Sequence, residues 1–197
     1  MAGAACGYTG TFVYKRNLMA LRATPYKVHL GLSDTDRGIY ESIRVTVARH
    51  PSETEERLVA RILAFGLYYE ERLEFGRGLS DVDEPALWLK TLDGHVAHWI
   101  EVGRPDSDRL TWCSRRADRV SLLAYGSTRV WQGQVLPRVA GLKNINIALL
   151  PQASLDALAL DLPRSIDWGL MITDDVLYIS DADMQHEIEL EWLRGSR

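Results

Sequence analysis

Cysteine is scarce in this chain: Cys6 and Cys113 are the only two, far apart and without metal-ligand spacing. Thiol catalysis and paired Cys-x-x-Cys chemistry are therefore disfavoured. With no disulfide framework and no secretory signal to read, a reducing cytoplasm is the expected location. No apolar run approaches the length of a membrane span, so a soluble protein without a membrane partner is expected. Internal repeats, low-complexity tracts, a glycine-rich phosphate loop and a Gly-x-Ser-x-Gly elbow are all missing, which disfavours those chemistries in turn. Excess positive charge is missing as well. A formal net charge of -4 argues against indiscriminate nucleic-acid binding, while leaving room for a local basic groove.

What is present has an ordinary globular balance, 46% hydrophobic and 25% charged residues in a chain of 197. That length suits one domain with a core that needs no staples. Residues 1–18 read as a leader, an upstream start or an added segment before an alternative start at Met19, and residues 19–197 as the single domain. Within the leader, Thr11 to Tyr14 has the pattern of an incidental strand.

Tyr26, Val28, Leu30 and Leu32 alternate as in a half-buried strand, and Ile43, Val45 and Val47 repeat the period, which predicts an antiparallel pair. Ser52 with Glu55 reads as a capping box that opens a helix to about Glu70, with Val59, Ile62, Leu63, Gly66 and Tyr69 inward. Glu53, Glu55 and Glu56 in its first turn complement the helix dipole. Glu55 and Glu56 lie one turn before the inward stripe on a similar azimuth, so at least one acid is expected to face the sheet, Glu56 being of most interest. Arg72 to Phe75 reads as a short strand. Asp106 or Ser107 caps a second helix to about Tyr125, carrying Arg109, Arg115, Arg116 and Arg119 on its polar faces. Arg129 to Val135 is ambiguous between strand and helix. Ile145 to Leu149 reads as a strand, Leu155 to Leu160 as a short helix, and the tail as a meander of Ile166 to Thr173, Val176 to Ser180 and Glu187 to Trp192. The aspartates at 174, 175, 181 and 183 are turn formers.

The chain's most informative stretch lies between these helices. Asp93-Gly94 separates two apolar runs and predicts a type I′ hairpin of Ala86 to Thr91 against His95 to Val102, with opposed residues summing to 187. Leu87, Leu89, Val96, Ile100 and Val102 then face the core, while Trp88 pairs with Trp99 on the other face. Asp83, Glu84 and Glu101 gather at the open end. Carboxylates so gathered bind a cation, share a proton or find arginines. His95 and His98, three apart on a strand, point to opposite faces and make poor joint ligands.

Ala48-Arg49-His50-Pro51-Ser52-Glu53-Thr54, Glu71-Arg72-Leu73 with Arg77-Gly78-Leu79, Asp83-Glu84-Pro85 with Trp88, and Trp99-Ile100-Glu101-Val102-Gly103 before Pro105-Asp106 resemble the YaeQ family of small bacterial proteins. The resemblance runs from about Met19 to the C-terminus. It implies an α/β (α+β) single domain on a variation of the PD-(D/E)xK nuclease fold, a mixed sheet flanked by helices with extra N- and C-terminal strands. That core's order of helix, three strands, helix, strand fits Ser52 to Leu149. Carried over position by position, the resemblance makes Glu101, Asp83, Glu84 and Glu56 the ligands of Mg²⁺ or Mn²⁺. Glu101, Asp83 and Glu84 with Arg109 become the catalytic set of a phosphodiesterase. Gly103 stands where such nucleases carry a lysine, and Arg109 can neutralise phosphate but cannot act as a base. The alternative is a noncatalytic scaffold that binds nucleic acid or a protein partner, the family having been linked to transcription elongation. A third reading ties Glu101 and Glu84 into ion pairs with Arg49, Arg57, Arg72 or Arg77.

Overall fold

The computed structural model describes residues 22–81 and 83–197. The expected leader, Met19 and the Thr11 to Tyr14 strand lie outside them. The elements in order are β1 (Thr24–Asp34), β2 (Ile39–Arg49), α1 (Glu55–Leu67), β3 (Leu73–Phe75), a single 3-10 turn (Gly78–Ser80), β4 (Leu87–Lys90), β5 (Val96–Val102) and α2 (Ser107–Ser114). There follow β6 (Arg119–Ala124), α3 (Arg129–Val139), β7 (Ile145–Leu149), α4 (Gln152–Ala159), β8 (Ser165–Thr173), β9 (Val176–Ser180), β10 (Gln185–Glu189) and β11 (Glu191–Arg194). Two mixed sheets result, ordered β10-β9-β8-β1-β2 and β11-β7-β6-β5-β4-β3. In the first, only β1 and β8 run parallel; in the second, β5, β6 and β7 do.

The layers follow from where apolar side chains fall. Tyr26, Val28, Leu30 and Leu32 alternate inward from β1 as expected, meeting α1, α4 and one face of the second sheet in one core. A smaller core on the second sheet's other face joins Trp99, Val120 and Leu122 to Leu110 and Cys113 of α2 and to Trp131, Val135 and Val139 of α3. Helix α1 is thus enclosed by two sheets, and every residue from Leu58 to Leu67 is buried instead of one stripe. Each fully buried Leu or Ile there contributes about 1.5–3 kcal/mol. Among the described residues, no helix is long and apolar enough to cross a membrane.

The differences from expectation are local and have local causes. Helix α1 is capped by Thr54, whose hydroxyl accepts from the Arg57 N–H, so the Ser52 box is not the cap. The second helix stops at Ser114, and Val120 to Ala124 become β6, a central strand buried on both faces. Such a strand reads as a continuous apolar run and was indistinguishable from helix by period. The ambiguous Arg129 segment is helix α3. The last strand of the meander divides at Leu190, β10 pairing with β9 and β11 crossing to β7.

The hairpin keeps its expected register at Leu87↔Ile100, Trp88↔Trp99 and Leu89↔His98, then shifts to Lys90↔Val96. Gly94 alone takes a left-handed φ of 86°, its N–H bonding the Thr91 carbonyl, so the loop is a type I turn closed by a glycine bulge and not a type I′ turn. The register shift between Leu89 and Lys90, which leaves Ala97 as an extra residue on β5, moves Val96 off the main core and against the smaller one.

Candidate functional site

Residues flanking β5 supply the site, and its two faces differ. On the α2 face, Glu101 is 6% exposed. Its Oε1 accepts from Trp99 Nε1 at 2.9 Å and from Arg109 Nε and Nη2 at 2.9 and 2.7 Å. Arg109 is placed by the start of α2, where the capping Asp106 side chain accepts its backbone N–H at 2.7 Å. Its guanidinium stands over the rings of Trp99 and Trp112, 5.3 and 4.9 Å from their centroids. Nη2 also donates to the Glu84 carbonyl at 2.9 Å, which brings Glu84 beside Glu101 as the register argument expected. The Trp88 and Trp99 rings meet edge to face at 6.2 Å.

The other expected acids are dispersed. The Glu84 carboxylate accepts the Arg77 N–H at 2.8 Å and lies 3.5 Å from Arg77 Nε. Asp83 is exposed, its backbone N–H bonded to Asp81. Glu56 belongs to α1, which packs on the opposite face of β5, and there the Thr54 hydroxyl and the more distant Arg49 hold its carboxyl below the usual range. Among the described residues, no three His, Cys, Asp or Glu side chains converge as a cation site would need. In this arrangement Glu101, Asp83, Glu84 and Glu56 do not form a cage for Mg²⁺ or Mn²⁺. The ion-pair reading holds for Glu84 with Arg77, while the partner of Glu101 is Arg109, outside the four arginines named for it.

On the α1 face lies a pair that the sequence reading missed. Glu53, assigned above to the helix dipole, is 2% exposed and accepts from Arg61 Nη1 at 3.2 and 3.1 Å and from the His50 N–H at 3.2 Å. Arg61 is 1% exposed and donates further to the carbonyls of Ala48 and Gly76. The signal was available: Arg61 is the one charge in the run Leu58 to Leu67, and a buried charge requires a partner.

Arg57, one turn earlier, lies 3.6 Å from the same carboxylate and donates to the Val102 carbonyl at 2.9 Å. Gly103 has a left-handed φ of 99°, and a Cβ there would lie 3.5 Å from Arg57 Nη1. The cation beside position 103 therefore comes from α1, not from β5. Arg57, Gly103, Arg104, Tyr125 and Trp131 line a hollow of about 430 Å³ without a carboxylate among them. It opens beyond the C-terminal ends of parallel β5 and β6, where ligands of open mixed sheets usually sit. Arg104 is tied to the Ser127 carbonyl at 2.7 Å, and Trp131 Nε1 to the Pro105 carbonyl at 2.7 Å. Burial pushes the Tyr125 phenol up against the opposing pull of Arg57, so it stays a neutral donor. Two guanidiniums and a phenol can hold a phosphate beside the edge of a mostly buried indole; they offer no nucleophile and no general base.

Fold and site together define an α+β protein of two mixed sheets with arginines on its carboxylates and an arginine-aromatic hollow at the strand ends. Solved structures share this fold. The crystal structure of YaeQ protein from Pseudomonas syringae matches with TM-score 0.87 at 60% identity, over 88% of this chain and 97% of that one. The YaeQ protein from Xanthomonas axonopodis pv. citri matches with TM-score 0.85 at 32% identity, over 88% and 99%. "Uncharacterized protein YaeQ" of Salmonella typhi is 38% identical over 174 residues, 87% of this chain and 96% of that protein. Its Escherichia coli (strain K12) namesake is 35% identical over the same shares. A family model described as YaeQ protein matches residues 19–190. The chain belongs to the YaeQ family.

Proposed function

We propose that this protein binds nucleic acid without cleaving it, on a scaffold of PD-(D/E)xK nuclease type. The observation that carries the reading is the hollow of Arg57, Arg104, Tyr125 and Trp131, free of carboxylates, beside a Glu101 already engaged by Arg109. The helix, three strands, helix, strand order from α1 to β6 is in keeping with that scaffold. Guanidiniums position a phosphate backbone without regard to sequence. An overall charge of -4 argues against indiscriminate binding and requires a local basic site of this kind.

One observation favours a second reading, a Mg²⁺- or Mn²⁺-dependent phosphodiesterase: Arg109 joins the Glu101 carboxylate to the Glu84 backbone, although the Glu84 carboxylate itself is turned to Arg77. A metal would supply a Lewis acid there, but Arg109 would first have to leave Glu101. Fluorescence anisotropy with single- and double-stranded DNA and RNA, with and without Mn²⁺, separates the readings. Binding without cleavage is expected. Arg104→Ala should weaken it alike for all sequences and lower the salt slope by about one. Cleavage that Glu101→Gln abolishes establishes the phosphodiesterase. No binding to any of the four nucleic acids overturns both readings of the site.

A further inference from the structure

At the other end of β5 and β6 a second hollow, of about 510 Å³, is lined by Tyr68 at the end of α1, Arg119, Arg197 and the β8–β9 turn residues Asp174 and Asp175, among others. Hydrogen-bond direction can be followed into it. Arg119 Nη2 lies 2.8 Å from His98 Nδ1, and a guanidinium only donates, so Nδ1 accepts. Burial holds the His98 ring neutral, so its proton sits on Nε2 and is donated to Ser121 Oγ at 2.8 Å. The next polar group is the Tyr68 phenol, whose ring stands edge-on to His98 with centroids 5.3 Å apart. Tyr68 is 2% exposed, yet its hydroxyl has no hydrogen-bond partner among the described residues. Ser121 is near enough to ease the burial that raises the phenol's pKa. Ser121 Oγ accepts from His98 and keeps a proton and a second lone pair, but no hydrogen bond joins it to the phenol. The phenol's own proton is thus left without an acceptor among the described residues.

The charges around this hydroxyl are balanced, unlike those of the first hollow. Arg197 binds Asp34 at 3.1 Å and Asp36 at 2.8 Å and lies 4.0 Å from Asp175, while Arg119 uses only Nη2 for its hydrogen bonds among the described residues. A simple anion entering here would meet the aspartates, and a simple cation the arginines. A small molecule carrying both signs satisfies both.

We infer that this hollow binds a small zwitterion of the amino-acid class, its carboxylate taken by Arg119 and the Tyr68 hydroxyl and its ammonium by Asp174 and Asp175. The site is separate from the nucleic-acid reading and survives its failure. The test presents the common L-amino acids, one at a time at millimolar concentration, to the full chain in a thermal-shift assay, followed by calorimetry of whichever shifts it most. The parent amino acid is expected to bind, and its N-acetyl and carboxamide derivatives to fail, each having lost one charge. Tyr68→Phe should weaken binding about tenfold, the loss of one hydrogen bond to a charged group, without lowering the melting temperature of the ligand-free protein. No shift with any amino acid overturns the inference. So does binding that survives either cap, or a Tyr68→Phe variant that is less stable alone and binds as before.

Discussion

The two faces of β5 bury polar groups in different ways. On the α1 face, Glu53 and Arg61 are both sealed, 2% and 1% exposed, and His98 is as deep. On the α2 face, Glu101 is nearly as enclosed, but the side chain of its partner Arg109 is 23% exposed, resting over buried Trp99 and half-buried Trp112. The first face therefore has no slack: each charge is matched where no water can replace a lost partner. The second has an outlet, since Arg109 can be solvated if it leaves. Depth of the partner, more than depth of the acid, decides how tightly a buried carboxylate is committed to structure.

The largest effect is expected where both members are sealed. Glu53→Ala would leave Arg61 charged, buried and facing only carbonyls, and should lower unfolding free energy by about 3–5 kcal/mol in urea titrations. Arg61→Ala should do the same from the other side. Replacing both together, Glu53→Gln with Arg61→Met, should recover much of the loss, because no fully buried charge remains unpaired and Arg57, which also faces Glu53, keeps the Val102 carbonyl and some solvent. If the double replacement costs as much as the sum of the single ones, the α1 face is not a matched pair and the contrast between the faces fails.

His98 gives the next effect, read through pH. Burial, with the charges of Arg119 and Arg37, holds its folded pKa down to about 3, against 6.5 for the free side chain. As pH falls below 6.5 the unfolded chain takes up a proton that the folded protein refuses. The contribution is therefore fully present above 6.5, declines by about 1.4 kcal/mol per pH unit below it, and levels off once pH passes the folded value. Urea midpoints at pH 7, 6 and 5 should trace that slope, before the carboxylates titrate. His98→Gln should flatten it whatever it does to stability at pH 7. An unchanged slope would mean that His98 is protonated in place.

How much of this was legible depended on whether the physics was local. The alternation of β1 and the register of the β4–β5 hairpin from Leu87 to Leu89 follow from period and pairing, and both are present, whereas the Glu84 carboxylate turns to Arg77 and only its backbone comes near the Glu101 pair. Strand β6 was not legible, because a strand buried on both faces loses the alternation that marks it. Arg109 was named for a phosphate, and it is the Glu101 carboxylate that it holds; sequence spacing brings the two near but cannot rank a carboxylate against a ligand. Arg57 beside Gly103 and Arg61 on Glu53 are contacts between a helix and a sheet, fixed only when the layers close.

The smallest effect belongs to the α2 face. Glu101→Gln keeps an acceptor for Trp99 Nε1 and lets Arg109 turn to water, so it should cost about 1.5 kcal/mol, well under the loss at Glu53. Cys113 reports the same face by another route. Burial, reinforced by the Glu101 carboxylate 3.7 Å away, pushes its thiol up to about 12, so the native protein should resist alkylation at pH 8. In a Cys6→Ser background, labelling should proceed through local opening of α2, with a weaker urea dependence than global unfolding. Glu101→Gln should speed it, by removing both the opposing charge and the tie to Arg109. If labelling instead tracks global unfolding in both proteins, the α2 face is as closed as the α1 face, and Arg109 has no outlet through which to yield Glu101 to a metal.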